Sequence, residues 1–83
     1  MTKLEKLIEL GYEYKDYYYH DYYVKEIVKD MIFIKIINLE NIEKNCYVDT
    51  ISYFKIVSQQ DIDNLQLAFD IKQKDLEILK GCE

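Results

Sequence analysis

The sequence has no proline, no arginine and no tryptophan, and it has only two glycines and two cysteines. Without proline and with so little glycine, no stretch of the chain has the composition of a flexible linker. A chain of 83 residues is too short for a second core, since it buries only about 60 to 65% of its unfolded surface. The sequence therefore predicts a single domain over residues 1–83. The hydrophobic fraction of 49% argues against intrinsic disorder.

The absence of arginine and the net charge of −5 disfavour direct binding of nucleic acid. Phosphate contacts need clustered cations, and the bidentate fork of arginine serves them best. An acidic surface suits a basic partner instead.

Long apolar runs are also missing. The longest, residues 31–34, is far short of the roughly 20 residues that a membrane span requires, and the amino terminus lacks a signal-peptide core. We therefore expect a cytoplasmic protein that has no contact with a membrane. Cys46 and Cys82 make neither a disulfide framework nor a zinc motif, and we expect both to be reduced.

Residues that carry chemistry are few. His20 stands next to Asp21, a pair that in principle orients an acid–base group, but no nucleophile motif accompanies it and a polar turn explains it better. Asp61 and Asp63 resemble the start of a calcium loop, but the glycine and glutamate that such a loop needs are absent, and helix capping explains the acids better. The sequence thus predicts no catalytic residue, no metal site and no cofactor, and a protein that is not an enzyme.

The chain opens with a short predicted helix. Thr2 followed by Glu5 has the spacing of a capping box, and Gly11 supplies the left-handed position that ends a helix, with Tyr12 placed for the hydrophobic contact that often follows. A helix this short is marginal in isolation. We expect its apolar side chains to dock on the rest of the protein: Leu4, Leu7, Ile8 and Leu10.

Residues 12–58 are rich in β-branched and aromatic side chains, which favours strands. We predict four, over residues 12–19, 22–29, 31–38 and 46–57. His20 with Asp21 and Lys29 with Asp30 are predicted turns, and residues 39–45 a polar loop or short helical turn. The third strand is apolar on nearly both faces, which places it centrally in the sheet.

A long helix follows. Ser58 and Asp61 stand at capping spacing, and Lys80 with Gly81 marks the end. Its apolar residues recur at helical spacing and predict a wide face that packs on the sheet: Ile62, Leu65, Phe69, Leu76 and Leu79, flanked by Leu67, Ile71 and Ile78. The predicted fold is therefore α+β, with a short N-terminal helix, an antiparallel sheet of about four strands, and a long C-terminal helix on one sheet face. The same apolar stripe approximates the a and d positions through which two helices pair in a dimer, although Lys72 interrupts it.

The tyrosines are the main indication of function. Seven of the twelve residues from 12 to 23 are tyrosine, and a small domain cannot bury them all. Tyrosine is a favoured strand residue, but it also supplies stiff, amphipathic contact area at interfaces. We predict a partner-binding surface with an acidic rim, made of the following residues: Tyr14, Tyr17, Tyr18, Tyr19, Tyr22 and Tyr23, with Glu13, Asp16, Asp21 and Glu26.

The two ends of the chain carry a resemblance. The opening, residues 2–12 (TKLEKLIELGY), and the segments 61–69 (DIDNLQLAF) and 74–77 (KDLE) resemble small accessory proteins of phages and prophages of low-G+C Gram-positive bacteria. The tyrosine-rich middle lies outside this resemblance. What it implies is a class of role, accessory or counter-defence, which includes anti-CRISPR inhibitors, and it carries over no site residues.

Two hypotheses follow. In the first, the protein is a phage-derived inhibitor that binds stoichiometrically to the basic surface of a host or defence protein. In the second, it is a structural or regulatory homo-oligomer, at simplest a homodimer, in which the tyrosine face or the last helix pairs with its own copy.

Overall fold

The computed structural model describes residues 1–17 and 20–82, which form three helices and the four strands of one sheet. They are, in chain order, α1 (Lys3–Glu9), β1 (Glu13–Tyr17), β2 (His20–Val28), β3 (Ile32–Ile36), α2 (Ile42–Asn45), β4 (Cys46–Thr50) and α3 (Gln59–Lys80). The four strands pair antiparallel in the order β1-β2-β3-β4. The predicted α+β fold is confirmed.

Strand β3 forms the centre of the sheet, as predicted. Ile32, Ile34 and Ile36 are fully buried, whereas Phe33 and Lys35 between them are half-buried. This period-two alternation means that one sheet face is covered and the other is open. Helix α3 packs over β3 and β4 on the isoleucine side.

Helix α1 begins and ends as its sequence predicts. The Thr2 hydroxyl accepts a hydrogen bond from the Glu5 N–H, and the Glu5 carboxylate accepts one from the Thr2 N–H. Gly11 has φ +99°, and the Tyr12 N–H bonds back to the Leu7 carbonyl at 3.1 Å. This is a Schellman ending, which turns the chain and delivers Tyr12 into the core.

The docking of α1 is narrower than we expected. Leu7 is fully buried and Leu10 partly buried against the core, but Leu4 and Ile8 are exposed. The prediction that all four side chains dock is wrong for Leu4 and Ile8, because a helix of only two turns presents a single face to the elements that it packs against.

The first hairpin corrects the predicted turn. Asp16 pairs with Asp21, and Tyr17 pairs with His20. His20 and Asp21 therefore lie in β2, and a turn at these two positions is wrong. The second predicted turn is confirmed: Asp30 has φ 59° between β2 and β3.

Strand β4 is shorter than predicted. Thr50 pairs with Ile32, the first residue of β3, so the chain beyond Thr50 has no strand to bond. The segment from 51 to 58 runs as turns and loop to the start of α3, and the prediction of strand through residue 57 is wrong.

Helix α3 starts with the predicted capping box between Ser58 and Asp61. Its second half is the part that enters the core, through Leu76 and Leu79. Ile62 and Phe69, which we expected to dock, are about half exposed. None of the helices in the described residues has the length and apolar character needed to cross a membrane.

Candidate protein-binding surface

A buried polar cluster joins α3 to the sheet. Asp75, only 3% exposed, accepts a hydrogen bond from the Tyr12 hydroxyl at 2.8 Å and one from the Lys25 ammonium at 2.9 Å. The Lys25 nitrogen also lies 5.3 Å from the centre of the Tyr12 ring. A buried carboxylate is tolerable because both contacts are direct and one is charged.

Neither Asp75 nor Lys25 was among the site residues predicted from the sequence. A signal was present, since Asp75 lies four residues after Ile71 and four before Leu79, which places it on the apolar side of the helix. A charged residue on the apolar side of a helix needs a partner from a neighbouring element. The spacing of residues within the helix does not show which residue that partner is.

This cluster is not a nucleophilic site. Burial raises the pKa of the nearby Cys46 thiol to about 11, so the thiol is protonated at neutral pH and is not activated. The role of the cluster is to fix α3 against Lys25 of β2 and against Tyr12, the residue that precedes β1.

Because the Tyr12 hydroxyl is buried, we predict that the folded protein loses stability at alkaline pH. Burial and the adjacent Asp75 carboxylate raise the pKa of Tyr12 far above its ordinary value of 10.0. Below about pH 10 the Tyr12 hydroxyl is protonated in the folded and in the unfolded protein. Above that pH the unfolded chain releases this proton, whereas the folded chain retains it. The free energy of unfolding should therefore fall by up to about 1.4 kcal/mol per pH unit above pH 10. Cys46 adds to this loss between its ordinary value of 9.0 and about 11.

Tyr12→Phe tests this assignment. The variant should be less stable at neutral pH, because Asp75 loses a donor, but its alkaline slope should be shallower than that of the wild type. Urea unfolding at several pH values from about 8 to 11 measures both. Tyr53→Phe, at an exposed position, is the matched control. Equal slopes in all three proteins would contradict the assignment.

The first hairpin carries an acidic tyrosine patch, defined here as Tyr14, Asp16, Asp21 and Tyr23. Register places all four on the helix side of the sheet, in the cross-strand pairs Tyr14–Tyr23 and Asp16–Asp21. The two rings meet edge to face with centroids 5.5 Å apart. Tyr23 is half-buried against the core and positions Tyr14, which is half exposed.

The two carboxylates of this patch have no lysine partner among the residues that the structure describes. Asp16 and Asp21 are exposed and directly opposite each other, and no ion pair links either one to a lysine of the described residues. A hydrogen bond to Asp21 raises the pKa of Tyr14 to about 12. The patch therefore presents two adjacent carboxylates and an aromatic ring to solvent.

The open sheet face is a second exposed surface, with a different character. Tyr22, Val24 and Phe33 line shallow grooves along it. Its charges are satisfied locally: Lys35 lies 3.3 Å from Asp49 and 4.6 Å from the centre of the Tyr22 ring. A surface whose charges already have partners offers less to a charged ligand than the acidic tyrosine patch does.

The ten predicted contact residues therefore do not form one surface. The structure brings Tyr14, Asp16, Asp21 and Tyr23 together on the helix side. It places Glu13, Tyr22 and Glu26 on the open face. Tyr18 and Tyr19 lie outside the described residues, as does the side chain of Tyr17.

In the described part of the chain, no group of three or more histidine, cysteine, aspartate or glutamate side chains is placed to hold a metal ion. Comparisons with protein-family models, with curated proteins and with solved structures found no match to this chain.

Proposed function

We propose that the protein is a stoichiometric, non-enzymatic inhibitor that binds a host or defence nucleoprotein of basic surface through the acidic tyrosine patch. The observation that carries this proposal is the direct opposition of Asp16 and Asp21, with no lysine of the described residues paired to either. Like charges directly opposite each other destabilise an antiparallel pair. A lysine or arginine of a partner, placed between the two carboxylates, would offset that local cost.

The neighbouring ring supports a protein partner. Tyr14 supplies a large, stiff contact surface with a polar tip, and its packing on Tyr23 limits the side-chain entropy lost on binding. A patch with an aromatic anchor and an acidic rim suits a partner that offers cations and apolar surface together.

A nucleoprotein is the preferred target because a groove that holds a nucleic-acid backbone is lined with cations. The resemblance of the chain ends to phage and prophage accessory proteins favours a defence complex of the anti-CRISPR target type. Such complexes act in the reducing cytoplasm, and both described cysteines, Cys46 and Cys82, are free thiols.

The test is a double substitution in the patch. Asp16→Asn with Asp21→Asn should weaken partner binding by at least about tenfold, because both charges of the contact are removed. The melting temperature should stay the same or rise, since the repulsion between the two strands is also removed. Tagged proteins are used to capture partners from a lysate that contains CRISPR effectors and other defence complexes, and affinity is then measured with the purified partner at two salt concentrations.

The matched control is Asp63→Asn with Asp70→Asn, which removes the same net charge from the exposed side of α3. A basic partner that the wild type and the control bind with equal stoichiometry, and the patch variant does not, supports the proposal. Equal binding by all three proteins, or no partner for any, contradicts it.

A further inference from the structure

The first half of α3 leaves an apolar stripe without cover in the described protein. What we call the α3 seam consists of Val57, which lies just before the helix, and of three residues within it, Ile62, Leu65 and Phe69. Val57 is 82% exposed, Ile62 47% and Phe69 49%, whereas Leu65 is half-buried. Val57 and Ile62 occupy the two positions of a hydrophobic staple around the Ser58 cap, and the other two follow at helical spacing.

Exposed apolar side chains are concentrated in this region. Six of the ten large hydrophobic residues that the described structure exposes lie between residues 53 and 69. Three of the six, Val57, Ile62 and Phe69, belong to the seam, and an exposed apolar patch on a small domain typically marks an interaction site. The seam is also continuous with the stripe that enters the core at Leu76, so an added helix would extend the existing core.

Charge along α3 identifies the kind of partner. Asp61 marks the start of the helix, and Lys72 follows about three turns later on the same flank of the seam. Lys72 forms no ion pair with a described residue, and its ammonium lies 5.5 Å from the centre of the Phe69 ring. If a second α3 runs antiparallel, with its Phe69 beside Leu65 of the first helix, Asp61 of each helix lies level with Lys72 of the other.

We propose that the α3 seam is the interface of a homodimer, in which two copies of the chain pair their α3 helices antiparallel about a two-fold axis that crosses the seam midway between Leu65 and Phe69. Each half of such an interface repeats the other, so one surface must be complementary to itself in shape and charge. The seam meets this condition, and the antiparallel arrangement also opposes the two helix dipoles favourably. The interface is separate from the acidic tyrosine patch and does not depend on the proposed function.

The test is the solution mass as a function of concentration. Light scattering and sedimentation over roughly a hundredfold range of concentration should show the wild type rising from the chain mass of 10.1 kDa towards twice that value. Phe69→Glu should remain monomeric throughout, because it places a charge in the seam. Leu67→Glu is the control: Leu67 has the same 49% exposure but lies about 160° around the helix from Phe69, and this variant should dimerise like the wild type.

Circular dichroism checks that each variant is folded, and Ile62→Glu, also in the seam, replaces Phe69→Glu if that variant unfolds. A wild type that stays monomeric over the whole range overturns the proposal. So does a dimer that survives the seam substitution, or one that is lost equally in Leu67→Glu, since the contact would then lie elsewhere.

Discussion

Asp75→Ala is expected to lower the free energy of unfolding by about 3–5 kcal/mol, the cost of breaking a buried ion pair by removing one partner. Asp75 accepts hydrogen bonds from Tyr12 and Lys25. Its loss leaves a buried phenol without an acceptor and a largely buried ammonium without a counter-charge. A domain of 83 residues has a total stability of only about 4–12 kcal/mol, so this change removes a large share of it.

Urea unfolding followed by far-ultraviolet circular dichroism measures the effect. Asp75→Asn should be intermediate, because the amide oxygen still accepts from Tyr12 although the charge is gone. Asp70→Ala, on the exposed side of the same helix, should change stability by about 0.5 kcal/mol or less. Equal losses at positions 70 and 75 would contradict the role of the cluster.

A triple variant separates two contributions to the loss of stability: the cost of leaving a buried polar group without a partner, and the stabilisation that the polar contacts themselves provide. Tyr12→Phe, Lys25→Met and Asp75→Leu together replace every polar member by an apolar side chain of similar size. Because no buried charge or donor is then left unpaired, most of the loss seen in Asp75→Ala should be recovered. A triple variant as unstable as Asp75→Ala would mean that the polar contacts themselves stabilise the fold.

Features set by near neighbours in sequence were predicted well. The two capping boxes, Thr2 with Glu5 and Ser58 with Asp61, each depend on residues three apart. The central position of β3 follows from its near-continuous apolar composition.

Features set by distant partners were not predictable. Strand β4 ends at Thr50 because β3 begins opposite it, and the strand-forming residues that follow do not carry this information. The tyrosine content indicated the first hairpin, but a shift of one residue in register exchanges its two faces. Composition alone therefore cannot tell which tyrosines share a surface with Asp16 and Asp21.

The rotation of α3 about its own axis is also set by distant partners and could not be predicted from the sequence. Its apolar residues span so wide an arc that the sequence allows either Phe69 or Ala68 to face the sheet. The structure selects the side that holds Ala68 and Asp75, because the acid then reaches Tyr12 and Lys25. Phe69 moves to the flank as a consequence.

Leu79→Ala should therefore destabilise the fold by about 2–5 kcal/mol, whereas Phe69→Ala should cost far less. Leu79 is fully buried in the core cluster, so truncating it leaves a cavity between α3 and the sheet. Phe69 is half exposed and leaves none. Urea unfolding at the lowest practical protein concentration compares the two variants while limiting any contribution from dimerisation. If Phe69→Ala proves as costly as Leu79→Ala under those conditions, the first half of α3 docks on the sheet in the monomer, and the seam is not a free surface.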